Sequence, residues 1–206
     1  MSKIAKNIVD LSSYDAMQHT PGANILKRLL WYWVNALVFD SWLCPLYGLK
    51  QHLLHIFGAE IGRGVVIKPR VNIKYPWKLS VGDYSWIGEG VWVDNIECVQ
   101  IGNHCCVSQG VYLCTGNHNW SDPRFGLVAR PITISGQSWI GAFSIICPGV
   151  SVAEGTVITA GSMVTQDTVP WTVYAGNPVR VVKHREIFNT VPSFNIQLPG
   201  GSTEAK

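Results

Sequence analysis

The sequence lacks the features that mark several common classes of protein. Only 14% of its 206 residues are charged, the formal net charge is +3, and no run of Lys or Arg could follow a phosphate backbone. Its six cysteines include no CxxC pair, and the chain does not open with a charged segment, an apolar stretch and a cleavage site. We therefore expect a reduced, cytoplasmic protein that does not bind nucleic acid.

A long hydrophobic run is also absent. The most apolar stretch, residues 29–39, is shorter than the about 20 residues that a membrane-spanning helix needs, and Asp40 and Pro45 interrupt its extension. Lys27 and Arg28 precede the tryptophans of this stretch. Such a segment can make peripheral contact with a membrane surface, and it can equally form a helix packed on the protein body, which is the interpretation we favour.

What the sequence has instead is a repeat of six residues. Six is neither the helical nor the strand period, so each unit is expected to be a short extended segment followed by a corner, and three units close a triangular coil. Stacked coils bury one aliphatic side chain per unit in a continuous core, which predicts an all-β solenoid. The aliphatic series is Ile61, Ile67, Ile73, Leu79, Val81, Ile87, Val93, Val99, Ile101, Val107, Leu113, Ile134, Ile140, Ile146, Val152, Ile158 and Val164.

Two details of the repeat refine this prediction. The positions four residues after each aliphatic are mostly small, which suits a narrow interior, and Cys105 at such a position is interpreted as buried filler rather than a reactive thiol. Ile61, Val81 and Ile101 are spaced by 20 residues instead of 18. The extra residues predict a slight bulge at one corner of the coil.

Segments without the repeat flank and interrupt it. Residues 1–57 are predicted to form an arm and a helical cap, because the open end of a solenoid has to be covered. The solenoid domain is predicted at 58–185, with a loop at 119–131 that leaves the coil; long excursions of this kind often carry function. The tail, 186–206, is predicted to be disordered.

Three stretches of the chain carry a family resemblance. They are Gly116-Asn117-His118-Asn119-Trp120-Ser121-Asp122-Pro123, Trp139-Ile140-Gly141-Ala142 and Ala175-Gly176-Asn177-Pro178. They resemble the hexapeptide-repeat acetyltransferases over about residues 55–185, and the chain looks closest to the exopolysaccharide, colanic-acid type. The resemblance implies a left-handed parallel β-helix, a homotrimer, acetyl-CoA in a groove between neighbouring subunits, a sugar or glycan acceptor and no metal.

His118 is the predicted catalytic residue. O-acetyl transfer needs a base that takes the proton of a sugar hydroxyl, and imidazole suits that task near neutral pH. His118 stands where the repeat opens into the predicted loop, and it matches the family's histidine. His104, at an exposed repeat position, is interpreted as structural or solvent-facing, like His52 and His55 in the cap and His19 in the arm.

The acceptor is expected to contact residues near this histidine. In similar enzymes polar residues at the positions of Asp94 and Asn95 hold acceptor hydroxyls, although an Asp-Asn pair also forms turns. Trp120 and Phe125 could stack on a sugar ring, with Arg124 nearby for an anionic group; aromatic residues equally pack loops onto solenoids. Whether the acceptor is soluble, nucleotide-linked or lipid-linked stays open, and the Trp-rich N-terminal segment favours a lipid-linked one.

The cofactor residues follow from the resemblance. Trp139 would line the site near the thioester, or it would have only a packing role. The backbone N–H groups of Gly141 and Ala142 are candidate donors to the oxyanion. Gln166 departs from the family's usual Lys or Arg. The residues implied for acetyl-CoA are Trp139, Gly141, Ala142 and Ala160 near the thioester and pantetheine arm, Thr165 and Gln166 near the adenosine, and Arg180 and Lys183 near the phosphates.

Other functions share this solenoid. Carbonic anhydrases of the γ type hold zinc with three histidines from two subunits, but no histidine follows His118 at close spacing. A non-catalytic trimeric module is a second alternative, against which the loop beside His118 argues. A longer-chain acyltransferase fed by acyl carrier protein is a third, and binding of coenzyme A would separate it from the favoured reading.

Overall fold

The computed structural model describes residues 8–14 and 19–188, so most of the tail predicted to be disordered lies outside the described residues. The N-terminal region contains helices α1 (Ile25–Val34) and α2 (Tyr47–Ile56), and a π-helical turn, Asn35–Phe39, extends α1. The Asn24 side chain accepts a hydrogen bond from the Lys27 N–H (2.9 Å), which caps the first turn of α1. A 3-10 turn, Leu11–Ser13, precedes both helices.

The described part of the chain then forms nineteen strands of two to five residues. They are β1 (Glu60–Ile61), β2 (Val66–Ile67), β3 (Asn72–Ile73), β4 (Leu79–Val81), β5 (Trp86–Ile87), β6 (Trp92–Asp94), β7 (Val99–Ile101), β8 (Cys106–Val107), β9 (Tyr112–Cys114), β10 (Gly116–His118), β11 (Leu127–Ala129), β12 (Ile132–Ile134), β13 (Trp139–Ile140), β14 (Ile145–Ile146), β15 (Ser151–Val152), β16 (Val157–Ile158), β17 (Met163–Val164), β18 (Thr172–Ala175) and β19 (Arg180–His184).

Seventeen of these strands build three sheets that form the sides of the coil. The first sheet has the order β1-β4-β7-β12-β15, the second β19-β18-β16-β13-β8-β5-β2 and the third β17-β14-β9-β6-β3. All pairings in these sheets are parallel except that of β19, which turns back on β18. The predicted all-β solenoid is confirmed, with about six turns and a short helical region at its N-terminus.

The aliphatic stripe and the small residues fill the interior as the repeat predicts. Ile67, Ile87 and Val107 stack in register in neighbouring coils and are buried. The Ser85 hydroxyl is buried at a corner and donates to the Gly102 carbonyl (2.6 Å), so a polar group lies in the narrow core with its hydrogen bond made. Cys105 is buried too, and burial raises the pKa of its thiol, as expected for filler.

The irregular residues gather at one corner, between the third and the first sheet. The segments 74–78 and 95–98 carry the extra residues of the early coils there, and the next coil extends from the same corner over residues 115–131. The predicted loop, 119–131, lies within this excursion, which takes the form of a hairpin because β10 and β11 pair antiparallel from Gly116 to Ala129.

The N-terminal region packs on the first coils. Trp31 of α1 is buried, its indole N–H donates to the Ile73 carbonyl (2.7 Å), and its ring lies against Phe39 and Phe57. The preceding arm reaches the hairpin, where the Asp10 N–H donates to the Pro123 carbonyl (2.8 Å). Helix α1 therefore lies along the third sheet, close to the corner that carries the hairpin.

Candidate active site

His118 ends strand β10 and is held by the far side of its own hairpin. Its Nδ1 lies 2.9 Å from the Phe125 carbonyl oxygen. A carbonyl oxygen only accepts, so Nδ1 must carry the hydrogen, and the neutral ring then presents Nε2 as an acceptor. The Phe125 ring stacks on the imidazole with centroids 4.4 Å apart and planes 12° apart. The hairpin thus sets both the tautomer and the orientation that a general base needs.

Local hydrogen bonds shape the tip of this hairpin. The Phe125 N–H donates to the Asp122 carbonyl (2.8 Å), and Phe125 takes a left-handed φ of 52° that turns its carbonyl toward the imidazole. The Asp122 carboxylate pairs with the Arg124 guanidinium (3.2 Å) and accepts from the Arg124 backbone N–H (2.9 Å), and these two bonds lower the pKa of Asp122. Trp120 is 78% exposed at the tip, so two of the four residues predicted to meet the acceptor, Trp120 and Arg124, lie on the same hairpin as His118.

Asp94, at the end of β6, lies one coil below the start of the hairpin. Its carboxylate accepts from Lys74 Nζ (2.8 Å) and from the Tyr112 hydroxyl (3.0 Å). Burial raises the pKa of Tyr112, assisted by a hydrogen bond with Cys114 and by the negative charge of Asp94, so the hydroxyl keeps its proton and remains a donor. These two donors fix the direction of the Asp94 carboxylate.

Asn95 does not fit its predicted role in acceptor binding. Its side chain has no exposed surface, and its amide bonds in both directions with the Tyr75 backbone, accepting from the N–H (2.8 Å) and donating to the carbonyl (2.6 Å). Asn95 therefore braces the corner at 74–78 instead of facing a ligand. The polar pair that the sequence suggested divides into one ligand-facing candidate, Asp94, and one structural residue.

A groove of about 510 Å³ opens between α1 and the third sheet, with Asp94 in its wall. Trp92 is 45% exposed there and stacks on Tyr112 with centroids 4.7 Å apart. An aromatic face flanked by charged groups suits a polyhydroxylated ring. The polar and aromatic groups in its lining include Arg28, Tyr32, Lys74, Tyr75, Trp92 and Asp94.

This groove is close to the hairpin along the coil. The Thr115 hydroxyl donates to the Asp94 backbone carbonyl (2.8 Å), so the two residues touch across neighbouring turns. His118 follows Thr115 by three residues, a reach of at most about 10 Å in extended chain. The groove and His118 therefore belong to the same corner of a single chain.

Of the two backbone N–H groups predicted as oxyanion donors, at Gly141 and Ala142, only the second is available. The Gly141 N–H already donates to the Ile158 carbonyl (2.7 Å), and a Cβ on Gly141 would lie 2.5 Å from the Ala160 nitrogen. Gly141 is therefore needed for close stacking of the coils and is not available to an oxyanion. The Ala142 N–H has no hydrogen-bond partner among the described residues, so it remains the candidate.

The other residues predicted for acetyl-CoA lie on the surface. Trp139 is half exposed, and its indole N–H donates to the Ser108 hydroxyl (2.9 Å), so it stands outward on the second sheet. Ala160 is exposed directly above Ala142, whose carbonyl accepts from the Gly161 N–H (2.8 Å). The remaining exposed members are Thr165 and Gln166 after β17, and Arg180 and Lys183 on β19.

One chain does not unite the two halves of the predicted site. The hairpin leaves the corner between the third and first sheets, whereas Ala142 and Ala160 occupy the corner between the second and third. A whole side of the triangle separates these corners. His118 can meet Ala142 only if a second copy of the chain brings its own corner against the hairpin.

Within residues 8–14 and 19–188, no three His, Cys, Asp or Glu side chains are grouped as a metal site would need. The helices of that same part of the chain are too short or too polar to cross a bilayer.

No protein-family model matches the chain. It is, however, 39% identical over 176 residues to the colanic acid biosynthesis acetyltransferase WcaF of Escherichia coli K12, an alignment that covers 85% of this chain and 97% of that protein. The chain belongs to the hexapeptide-repeat acetyltransferases. The galactoside O-acetyltransferase of Escherichia coli K12 is 30% identical over 137 residues, or 65% of this chain and 68% of that one.

Solved structures agree with this family assignment. A hexapeptide-repeat acetyltransferase of Vibrio cholerae superposes with a TM-score of 0.74, covering 83% of this chain and 98% of that one at 22% identity, which supports the fold. A galactoside acetyltransferase in complex with coenzyme A superposes with a TM-score of 0.69 over 78% of this chain and 82% of that one, at 28% identity. The family resemblance predicted from the sequence is confirmed.

Sequence reasoning missed several residues of this acetyltransferase's candidate site. Phe125 was noted only as a possible stacking partner for a sugar, whereas it contacts His118 through both its ring and its carbonyl. Lys74 and Tyr112 were not singled out, although both contact the Asp94 carboxylate. A signal was available for Tyr112 and Trp92, because aromatic residues spaced by 20 occupy equivalent positions in neighbouring coils and must stack.

Proposed function

We propose that this protein transfers the acetyl group of acetyl-CoA to a hydroxyl of a sugar or polysaccharide precursor, with His118 as general base. The observation that carries this proposal is the bond from Nδ1 to the Phe125 carbonyl, which leaves Nε2 free to accept a proton. The hydroxyl oxygen attacks the thioester carbon while Nε2 takes its proton. The tetrahedral intermediate then expels the sulfur of coenzyme A, and the imidazolium returns the proton to that sulfur.

The acceptor is proposed to lie in the groove beside α1. The half-exposed Trp92 ring offers a stacking face, and the Lys74–Asp94 pair offers a donor and an acceptor for ring hydroxyls. Trp120 at the hairpin tip could cover the ring from above. The names of two relatives, a colanic acid biosynthesis acetyltransferase and a galactoside O-acetyltransferase, support a sugar as the class of acceptor.

Acetyl-CoA is proposed to bind along the corner of Ala142 and Ala160, between two copies in a homotrimer. The Ala142 N–H would donate to the oxyanion, and Arg180 and Lys183 would meet the phosphates. This arrangement is supported by the separation of the two corners within one chain. It is also supported by the structural relative that binds coenzyme A.

The base is tested by replacing His118 with Ala, with His104→Ala as the matched control on a plain coil corner. Free-thiol release from acetyl-CoA would be followed against a panel of sugars, nucleotide sugars and lipid-linked sugars. We expect His118→Ala to lose about a hundredfold or more in kcat while coenzyme A binding persists, and His104→Ala to remain active. A fully active His118→Ala protein would refute the proposed base.

The shared site is tested by complementation. His118→Ala and Ala160→Trp, each inactive alone, would be co-expressed so that mixed trimers form. If the hairpin of one copy serves the corner of the next, a random mixture contains an intact pairing at about one site in four and regains about a quarter of the wild-type activity. No recovery of activity in mixed trimers would place the whole site in one chain.

A wild-type protein that binds coenzyme A without turning over any acceptor would favour the non-catalytic module.

A further inference from the structure

Helix α1 carries apolar side chains on three faces, and one of those faces is largely exposed in the described chain. Trp31 points into the core, and Ile25, Leu29 and Tyr32 line the groove. Four other apolar residues of α1 and its π-helical extension recur at spacings of four, three and four and form an outward stripe. This stripe consists of Leu26, Leu30, Trp33 and Leu37, which are 64%, 53%, 61% and 59% exposed.

Such a helix is unusual at a protein surface. A helix that is apolar all round is normally buried, and a surface helix normally turns a polar face outward. The next connecting segment is exposed and apolar as well, with Trp42 at 59%, Leu43 at 83% and Leu46 at 62%. An apolar surface of this extent is typical of a contact site for a partner or a membrane.

Basic side chains lie directly beside this surface. The Arg70 guanidinium stands 5.6 Å from the centre of the Trp42 ring, and Lys68 Nζ lies 3.0 Å from the Tyr47 hydroxyl. Tryptophan and tyrosine rings next to cations are typical of protein segments that sit at the level of lipid headgroups. The coil therefore supplies positive charge at the edge of the apolar surface.

Positive charge is concentrated in the part of the chain that carries this apolar surface. Residues 24–78 contain eight Lys or Arg against two Asp or Glu, a formal charge of +6, whereas 79–206 contain six against nine, a formal charge of −3. A small net charge of +3 thus conceals a basic N-terminal end of the solenoid. A basic end of this kind is complementary in charge to an anionic lipid surface.

We propose that the outward stripe and the segment from Trp42 to Leu46 dock on an anionic lipid surface, with Lys68 and Arg70 among the headgroups. The rings and leucines would enter the boundary of the acyl chains while the solenoid stands away from the membrane. The groove lies on the neighbouring face of α1, so a sugar carried on a lipid would arrive beside it. This last step rests on the proposed function; the docking itself does not.

Binding would be measured with the full chain and no substrates, by co-sedimentation with vesicles. One set contains phosphatidylcholine alone and the other an equal mixture with phosphatidylglycerol. We expect the wild type to bind the anionic vesicles and to be released by added salt, with weak binding to the neutral set. Absence of binding to the anionic vesicles would overturn the proposal, whether or not the protein transfers acetyl groups.

Variants assign the binding to this surface. We expect Leu30→Ser combined with Trp33→Ser to weaken binding by about tenfold or more, because two apolar anchors are lost. The matched control is Val169→Ser, an equally exposed apolar position (55%) near the other end of the solenoid, which we expect to bind like the wild type. An equal loss of vesicle binding in both variants would mean that any exposed apolar residue contributes to nonspecific adsorption, and it would overturn the proposal.

Separate measurements test the two cations and the alternative that another copy of the chain covers the outward stripe. We expect Lys68→Gln and Arg70→Gln to weaken binding by about fivefold each. Light scattering and turnover of a soluble acceptor should be unchanged in all these variants, since none of the altered residues belongs to the proposed site. If the Leu30 and Trp33 changes instead dissociate the oligomer, the stripe is an interface between copies and the lipid proposal is wrong.

Discussion

The coils and the hairpin of residues 116–129 are built on opposite principles. In the coils a buried aliphatic occurs every six residues, and each strand finds its partner in the next turn. In the hairpin no residue is fully buried, and the strands pair with each other. The coils obtain their stability from neighbours above and below, whereas the hairpin depends on a few local bonds.

This difference indicates where the fold can accommodate a functional side chain. A repeating coil has little room for a functional side chain, because every inward position is occupied and every corner is stacked on another. The corner that holds 74–78, 95–98 and the hairpin already departs from strict stacking in each early turn. The proposed base lies where the repeat is weakest, and Asp94 is one coil away from it.

Removing a buried aliphatic should show the contrast most strongly. Ile87→Ala empties a fully buried position with Ile67 and Val107 in the adjoining coils, and we expect the free energy of unfolding to fall by about 2–5 kcal/mol. Val128→Ala on the hairpin, where the side chain is 38% exposed, should cost well under 1 kcal/mol. Denaturant unfolding at a fixed protein concentration measures both. Equal losses would mean that the hairpin is as tightly integrated as the coils.

Close stacking of the backbone gives the next effect. The Cβ of Gly141→Ala would come within 2.5 Å of the Ala160 nitrogen and 2.7 Å of the Ile158 carbonyl oxygen, so we expect a loss of about 3 kcal/mol. Gly126→Ala on the hairpin has nothing within 4 Å of its Cβ and should leave stability nearly unchanged. Thermal unfolding of the two variants side by side is the measurement. A stable Gly141→Ala protein would show that the coils can move apart at this corner.

The coils were open to prediction because their rule is local in sequence. Aliphatic spacing located the buried stripe, and the 20-residue spacing of Ile61, Val81 and Ile101 located extra corner residues. The hairpin was not predictable in the same way. Its pairing of 116–118 with 127–129 follows no alternating apolar pattern, and the contact from Asp10 to Pro123 joins segments more than a hundred residues apart.

The candidate site divides along the same line. His118 could be chosen because it marks the break in the repeat, but the acceptor of its Nδ1 hydrogen, the Phe125 carbonyl, depends on backbone torsions that no side-chain pattern records. Gly141 was predicted as an oxyanion donor, yet its N–H already donates to the Ile158 carbonyl in the next coil. Asn95 illustrates the limit best, since sequence alone cannot say whether a polar residue faces a ligand or the backbone.

Asn95 therefore offers a test of the corner that precedes the hairpin. Asn95→Ala leaves the Tyr75 N–H and carbonyl without their partners, and we expect a loss of about 2 kcal/mol in unfolding free energy. Asn117→Ala removes an exposed amide from the hairpin and should cost under 1 kcal/mol. If Asn95→Ala were as stable as the wild type but raised the KM for the acceptor, the ligand-binding role predicted from the sequence would be restored.

The smallest effect should separate two similar stacks of an aromatic ring on a histidine. Phe125 covers His118 on the hairpin and Tyr84 covers His104 on the coils, with centroids 4.4 Å and 5.4 Å apart, and both aromatic residues have a left-handed φ. We expect Phe125→Ala to lower kcat about tenfold, or about 1.4 kcal/mol in the barrier, because the imidazole loses one of the contacts that orient it.

Tyr84→Ala is the matched control, and we expect its kcat to equal that of the wild type. Neither change should alter the KM for acetyl-CoA, because the Ala142 and Ala160 corner is untouched. A purely structural role for Phe125 would appear as lost stability with normal kcat in the folded fraction. Equal kcat in both variants would mean that the Nδ1 bond to the Phe125 carbonyl holds the imidazole without help from the ring, so the hairpin backbone alone would orient the base.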